Sequence, residues 1–513
     1  VGETFYLTTA IDYVNSRPHL GTAYEKIAAD CIARFKRLAG YDVHFLMGND
    51  EHSLNVERRA RELGLEPLAY CDQMAEVFES TWRALGIAYD DFIRTTEERH
   101  KRGVRLLLGR IRAKGDIYEG LYTGHYCVSC EAFYQEKDLP GGLCPIHKTT
   151  PQWVEEKNAF FRLSKYRDAV LAHIEAHPEF VQPEIRRNEI LALLRDGLED
   201  LSISRASVRW GIQVPWDPAS VVYVWFDALI NYLSATGFGT DGAEAQARCR
   251  RLWPADLHII GKDITRFHCV IWPAMLLAGD VALPKQVFGH GWVHLKGEKM
   301  SKSLGTAVDP LEAAGRFGAD ALRYFLLREI SFGRDGDFSW QRLTERYNAD
   351  LANDLGNLLS RTLSMTERYL GGAVPPAGPG GERLETLAAE VVRNYEAAME
   401  RLDLSAGAAE VWRLVSAANL FVDEVKPWVL AREPARRGEL AGALRALLES
   451  LRVVAILAFP FMPERSGELW RQLGGREALA GQRLEDARAW NRLAEGAPIR
   501  KGEPLFPRIE VES

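Results

Sequence analysis

Cysteine is scarce in this 513-residue chain, which carries seven. So sparse and odd a number excludes a disulfide-stapled scaffold, and with no secretory signal at the start of the sequence it points to a reducing compartment. Long apolar runs are missing too: the longest, around 269–279 and 453–462, fall short of the ~18 residues that a membrane-spanning helix needs. There is no excess of positive charge, since 64 Lys and Arg stand against 71 Asp and Glu for a net −7. That excludes a protein coating nucleic acid by bulk charge, although a local basic track stays open. Neither Gly (43) nor Pro (23) departs from its ordinary share, which removes fibrous and low-complexity architectures. What remains is a soluble globular protein, 47% hydrophobic and 26% charged, long enough for three or four domains of ~150 residues each.

Three of the cysteines are clustered. Cys127, Cys130, Cys144 and His147 form C-x2-C-x13-C-x2-H, a spacing that suits two knuckles around one zinc, because each two-residue gap lets both side chains of a turn reach one tetrahedral centre. Cys31, Cys71, Cys249 and Cys269 lie in apolar or helical surroundings and read as small core residues.

The first fifty residues read as strand, helix, strand. Thr4 to Ala10 is β-rich, Asp12 to Pro18 is turn-rich, and from His19 apolar positions recur at helical spacing until Gly40; Val43 to Met47 is a second strand. This is the βαβ unit of a parallel sheet, whose ligands bind at the carboxyl ends of the strands. His19, Gly21 and Thr22 therefore fall at a helix N-terminus on the ligand edge, where backbone N–H groups favour phosphate. Asp50, Glu51 and His52 end the next strand at the same edge, three ionisable groups where a site belongs. Buried strands resume near Val221, with Leu257–Ile260 and Val287–Phe288 each running into a glycine-containing loop. A nucleotide-binding fold interrupted by ~100 residues accounts for the order. From Tyr347 to about Leu473 the pattern is that of a helix bundle, and Pro504 to Val511 reads as a strand.

Two motifs carry chemistry. Pro18-His19-Leu20-Gly21-Thr22 opens the first helix, and Lys299-Met300-Ser301-Lys302-Ser303 forms a loop ending at Gly305. Two lysines three apart on such a loop can neutralise a polyphosphate as charge moves onto a leaving group.

Together, HLGT and KMSKS resemble the paired signatures of the class I aminoacyl-tRNA synthetases. Gly48-Asn49-Asp50-Glu51-His52, Asp200-Leu201-Ser202-Ile203-Ser204-Arg205, Tyr223-Val224-Trp225-Phe226-Asp227-Ala228 and Gly261-Lys262-Asp263-Ile264 narrow the resemblance to the methionyl-tRNA synthetase family. The resemblance implies an α/β fold: a Rossmann-like parallel sheet split by a zinc-knuckle insertion and followed by an α-helical anticodon-binding bundle. Its expected divisions are a first catalytic half (1–112), the connective insertion (113–220), a second catalytic half (221–290), a stem-contact region with the KMSKS loop (291–346), the bundle (347–475) and a tail returning to the body (476–513).

The implied reaction is ATP-dependent activation of L-methionine to methionyl-adenylate and pyrophosphate, followed by transfer to tRNA(Met) bearing a CAU anticodon. His19, Thr22, Lys299 and Lys302 would serve catalysis. With Gly21, Gly261, Lys262, Asp263, Met300, Ser301 and Ser303 they would also bind ATP, accompanied by Mg2+. The methionine pocket maps onto Ile11, Tyr13, Asp50, Trp225, Ala228, Tyr232 and His268, with Asp50 on the ammonium, Trp225 on a strand, and Ala228 and Tyr232 four apart on the helix after it. Asn357, Arg361 and Trp428 match the anticodon readers. One structural Zn2+, no membrane, a cytoplasmic location and a monomer are expected. Three positions depart from the family pattern: Thr22 replaces a second signature histidine, Leu229 a proline, and Asp12 a residue that is usually uncharged.

Overall fold

The computed structural model describes residues 2–128, 131–145, 148–300 and 307–510. Its centre is a parallel sheet. Strands β1 (Thr4–Thr9), β2 (Asp12–Tyr13), β3 (Asp42–Asp50) and β4 (Asp91–Arg94) are joined by Leu257–Gly261, Val287–His290 and Val181–Gln182. From one edge the order is β4, β3, β1, Leu257–Gly261, Val287–His290, Val181–Gln182, with β2 continuing the chain of β1 along the end of β3; every pairing is parallel. Parallel strands are covered on both faces, which is why these segments read as apolar runs. The covering helix that matters most is α1 (Leu20–Leu38), which starts beyond the extended residue His19 and has Lys36 and Arg37 in its last turn, where cations suit the helix dipole.

The strand Val181–Gln182 lies inside the stretch expected as insertion. It is only two residues long, and its place is fixed by tertiary bonds such as Val287 N–H to Phe180 O at 2.7 Å, so no period marks it. The rest of the insertion is built on a long antiparallel pair, Ile117–Cys127 with Gln152–Phe161, flanked by Ala132–Tyr134 and Leu201–Ser202. Trp225 was expected on a strand and instead lies in the short helix Val224–Ala228, followed by the helix Asn231–Ser234. Both helices are buried, Asp227, Asn231 and Ser234 along with their apolar and aromatic neighbours, and a short, mostly apolar run does not distinguish strand from helix.

The C-terminal half is a bundle whose helices include Asn357–Leu370, Glu382–Glu400, Leu404–Val425 and Arg437–Ala458. One continuous apolar core runs from α1 (Ile27, Ile32, Phe35) into this bundle (Val391, Tyr395, Leu451, Phe461). The buried guanidinium of Arg323 crosses the same boundary, pairing with Asp30 of α1 at 2.6 Å and donating to Pro460 O and Phe461 O at 3.0 Å each. The segment after Pro504 forms no strand among the described residues. The Asn348 side-chain amide takes the place of a strand neighbour, donating to Ile509 O at 2.9 Å and accepting from Ile509 N–H at 3.0 Å. Among the described residues no helix is long and apolar enough to cross a membrane.

Gly48 shows how closely the sheet packs beside the site. A Cβ there would lie 2.1 Å from the carbonyl oxygen of Ile93 on β4, so any side chain must push β4 away from β3. Gly48→Ala is expected to destabilise the fold by about 2 kcal/mol or more, seen as a lowered midpoint in denaturant unfolding; an unchanged midpoint would show that the strands separate freely.

Candidate active site

The carboxyl ends of β1, β3 and Leu257–Gly261 and the N-terminus of α1 surround a cavity of about 400 Å³. Ile11, Tyr13, Asp50, Trp225, Ala228, Tyr232 and His268 all line it, as do His19, Gly21, Thr22, Gly261, Asp263 and Met300. Residues more than two hundred positions apart in the chain thus meet at one sheet edge, as parallel topology requires.

At the α1 end, His19 is the capping residue: its Nδ1 accepts the Thr22 N–H at 3.3 Å. An imidazole that accepts at Nδ1 and is neutral carries its proton on Nε2, and that nitrogen lies 3.5 Å from the Thr22 hydroxyl. Thr22, the residue in place of the second signature histidine, is therefore a partner of the first. Gly21 leaves room for this ring, because a Cβ there would lie 3.0 Å from His19 Cε1. Leu20 N–H donates to Val308 O at 2.9 Å, which brings the start of α1 against the chain just beyond the KMSKS segment. Of that motif, Met300 is buried in the cavity wall and Lys299 pairs through its backbone with His294; Ser301, Lys302 and Ser303 lie outside the described residues.

The other end is aromatic. Trp225 stacks on Phe267 at 3.9 Å and meets the edge of Tyr13 at 5.9 Å. Tyr232 and His268 form a fixed polar pair: His268 Nδ1 sits 3.0 Å from Ile264 O and Nε2 2.7 Å from the Tyr232 hydroxyl. The carbonyl can only accept, so Nδ1 bears the proton and the Tyr232 hydroxyl donates to Nε2. Burial pushes the His268 pKa down to about 4, so the ring is neutral at ordinary pH and the pocket gains no cation from it. Asp50 is the opposite case. Burial, reinforced by Asp227 and Glu131, holds its carboxyl well above the usual carboxylate range, and Oδ1 has no hydrogen-bond partner among the described residues. Such a group gains most from an incoming cation.

Asp227 braces this end from behind, with Oδ2 2.8 Å from His52 Nδ1 and Oδ1 2.6 Å from His100 Nε2. Burial opposes its ionisation, but His52 and His100 outweigh it and lower its pKa to about 2. The helix carrying Trp225 and Ala228 is thereby tied both to the end of β3 and to the helix Glu98–Ala113.

Lys262 does not line the cavity; it pairs with Asp335 at 2.7 Å and lies over the Trp292 ring at 4.3 Å. Asn357 is exposed, Arg361 pairs with Asp423 at 3.0 Å, and Trp428 is half-buried against the bundle core five residues after Asp423. Cys127 and Cys144 are buried, whereas Cys130 and His147 lie outside the described residues. Among the described residues no three His, Cys, Asp or Glu side chains group as metal ligands. Phe78, Tyr134, Asn231, Phe267, His290 and Trp292 also line the cavity and were not anticipated. Only His290 and Trp292 had a local signal, a strand end running into a Gly-containing loop.

The model for class I (M) tRNA synthetases matches residues 5–150 and 137–363, and that for the anticodon-binding domain of methionyl tRNA ligase matches 374–513. The methionine–tRNA ligase of Caldanaerobacter subterraneus subsp. tengcongensis is 48% identical over 99% of this chain and 80% of its own length. The chain belongs to the methionyl-tRNA synthetases. The ligase of Thermotoga maritima is 45% identical over 99% of this synthetase and 81% of its own length. In three dimensions the chain is similar to Mycobacterium tuberculosis methionyl-tRNA synthetase in complex with methionyl-adenylate, with a TM-score of 0.94, 43% identity and coverage of 99% of this chain and 100% of that one. The free form of that enzyme gives a TM-score of 0.88 at 39% identity, covering 100% and 99%. The enzyme is accordingly a methionine–tRNA ligase.

Gly21→Ala is expected to displace the His19 ring and lower kcat/KM for amino-acid activation about tenfold or more with little change in thermal stability, since a misplaced group costs rate rather than fold. Wild-type kinetics in this variant would show that the ring position is not critical.

Proposed function

We propose that the cavity holds methionine and ATP side by side and that the residues lining it act in the roles the family resemblance implies. The observation that carries this reading is the meeting of the aromatic pocket, the Asp50 carboxyl with its Oδ1 unpartnered among the described residues, and the N-terminus of α1 around one space. The methionine ammonium pairs with Asp50, while Ile11, Tyr13, Trp225, Ala228, Tyr232 and His268 enclose the thioether. The phosphates of ATP meet the positive end of the α1 dipole, the Nε2 proton of His19 and the Thr22 hydroxyl, and the absence of a side chain at Gly21 admits the adenine. Gly261 and Asp263 complete the nucleotide wall, with Lys262 behind them.

A methionine carboxylate oxygen attacks the α-phosphorus, the bond to the bridging oxygen breaks, and pyrophosphate leaves. No side chain becomes covalently attached. Positioning and charge stabilisation do the work, and Lys299, Met300, Ser301, Lys302 and Ser303 form the loop that meets the departing pyrophosphate. Magnesium bound to ATP supplies further positive charge on the phosphates. A ribose hydroxyl of tRNA(Met) then attacks the carbonyl carbon, releasing AMP. The likeness to the adenylate-bound Mycobacterium enzyme, greater than to its free form, supports this use of the cavity.

Two further parts belong to the reading. Cys127, Cys130, Cys144 and His147 hold one structural zinc, and the two described thiols fit it. Both are buried beside Thr149, whose hydroxyl is 3.7 Å from Cys127 Sγ and whose carbonyl accepts Cys144 N–H at 2.8 Å. Asn357, Arg361 and Trp428 read the CAU anticodon by hydrogen bonding and base stacking. The low cysteine content suits a cytoplasmic enzyme, and we take it to act as a monomer.

ATP–pyrophosphate exchange is expected with methionine, with valine, isoleucine and cysteine at least about a hundredfold weaker; equal exchange with any of these would overturn the pocket assignment. Trp428→Ala is expected to cut tRNA charging by about tenfold or more, from the loss of one stacked base, with exchange unchanged. A parallel loss of both activities would make Trp428 structural.

A further inference from the structure

Asp12, the charged residue at a position where the family is usually uncharged, belongs to a buried cluster beside the cavity. Lys26, seven residues into α1 and without solvent exposure, points its ammonium at three acceptors: Ala10 O at 2.6 Å, Glu25 Oε1 at 2.7 Å and Asp12 Oδ1 at 3.3 Å. Three acceptors use all three ammonium protons. Glu25 Oε2 in turn lies 2.9 Å from His290 Nε2, and His290 Nδ1 lies 2.7 Å from Gly291 O. Asp12, Glu25 and His290 all line the cavity, and Asp12 Oδ2 has no hydrogen-bond partner among the described residues.

The placement of these bonds gives them a consequence. Residues 10–13 pass between the two halves of the site. Ala10 N–H is held by Ile259 O at 3.1 Å, and Asp12 and Tyr13 pair with Asn49 and Asp50. On the remaining side the segment is held to α1 by Lys26. This segment contributes Ile11 and Tyr13 to the aromatic end, and α1 contributes His19, Gly21 and Thr22 to the other.

We propose that Lys26 and Asp12 are positioning residues of the methionine pocket: the Lys26 bond to Ala10 O and its ion pair with Asp12 pin residues 10–13 onto α1, and protonation of Asp12 releases one of the two pins. The inference rests on the methionine-pocket reading given above. Burial, opposed by Lys26 and reinforced by Glu25, brings the Asp12 carboxyl up to about 7, so the pin weakens as the pH falls through neutrality. The groups facing the pair are Glu25 on α1, His290 at the end of the strand Val287–His290, Asp50 at the end of β3, and Tyr232 and His268 across the cavity. Of these, Asp50 also titrates upward from the usual carboxylate range, so the test must separate the two carboxyls.

The test measures methionine and ATP KM by pyrophosphate exchange from about pH 6 to about pH 8.5. In the wild type the methionine KM is expected to rise below about pH 7. Asp12→Asn keeps the shape of the side chain and removes its charge. It is expected to raise the methionine KM about fivefold at the alkaline end, the loss of one charge-assisted bond, to abolish the inflection near neutrality, and to leave the ATP KM within about twofold. Lys26→Met is expected to raise the methionine KM about tenfold or more, and Asp12→Asn added to it to recover part of that loss, because one uncompensated carboxylate is gone. A wild-type pH profile and methionine KM in Asp12→Asn overturns the proposal, and decides it even where Lys26→Met does not fold. Asp50→Asn separates the two readings. If it leaves the methionine KM unchanged the pocket assignment fails; if it raises that KM while Asp12→Asn does nothing, only the pin fails.

Discussion

Helix α1 buries fifteen of its nineteen residues, and the arrangement of everything else follows from how that helix is held. Its N-terminus opens into the cavity, its second turn carries the buried lysine that grips residues 10–13, and its middle carries Asp30, the partner of Arg323. Few helices bury four charged residues, here Glu25, Lys26, Asp30 and Lys36, because each must find compensation inside the protein; Lys36 finds it in Glu400. Here each does: Lys26 among Ala10 O, Glu25 and Asp12; Glu25 between Lys26 and His290; Asp30 among Arg34, Arg323 and the Ala88 N–H, which together lower its pKa against the effect of burial. These directional contacts fix the helix in rotation and in register, which apolar packing alone does loosely.

The cavity divides its polarity unevenly. At the aromatic end the hydrogen-bonding capacity of Tyr232 and His268 is spent on each other and on Ile264 O, leaving a neutral lining. Asp50, beside it, keeps a buried oxygen unpartnered among the described residues. An apolar side chain attached to a cation suits that combination, whereas an anion would face the Asp50 carboxyl. At the α1 end the lining is the N-terminus of a helix, with the positive end of its dipole and the His19–Thr22 pair. The two ends therefore discriminate by charge before shape contributes.

Much of this was readable in the chain. The strand–helix–strand opening announces itself through apolar period and the glycine after α1, and the signature segments fall at strand ends or a helix start, where parallel topology gathers them. The places that were not readable share a cause. Val181–Gln182 is too short to have a period. Val224–Ala228 is a short, mostly apolar run around the one carboxylate of Asp227, so its sequence does not separate strand from helix. Phe78 and Tyr134 reach the cavity from a long helix and from the insertion, through contacts between distant parts of the chain. Lys26 carried no signal in the sequence, and only the sheet on one side and residues 10–13 on the other make it a buried charge. The terminal segment after Pro504 has the composition of a strand but finds a side-chain amide in place of a strand partner.

Arg323 gives the molecule a particular indivisibility. Its guanidinium is satisfied partly by the catalytic fold, through Asp30 and Leu85 O, and partly by backbone carbonyls at the end of a bundle helix, Pro460 O and Phe461 O. Lys36, at the last turn of α1, adds a second tie, meeting Glu400 at 2.6 Å. The bundle is therefore not a cassette that shuffling could exchange at a linker. A replacement bundle would have to bring its own carbonyl oxygens to the same spot or leave a buried cation half-solvated, so the two halves are constrained to diverge together.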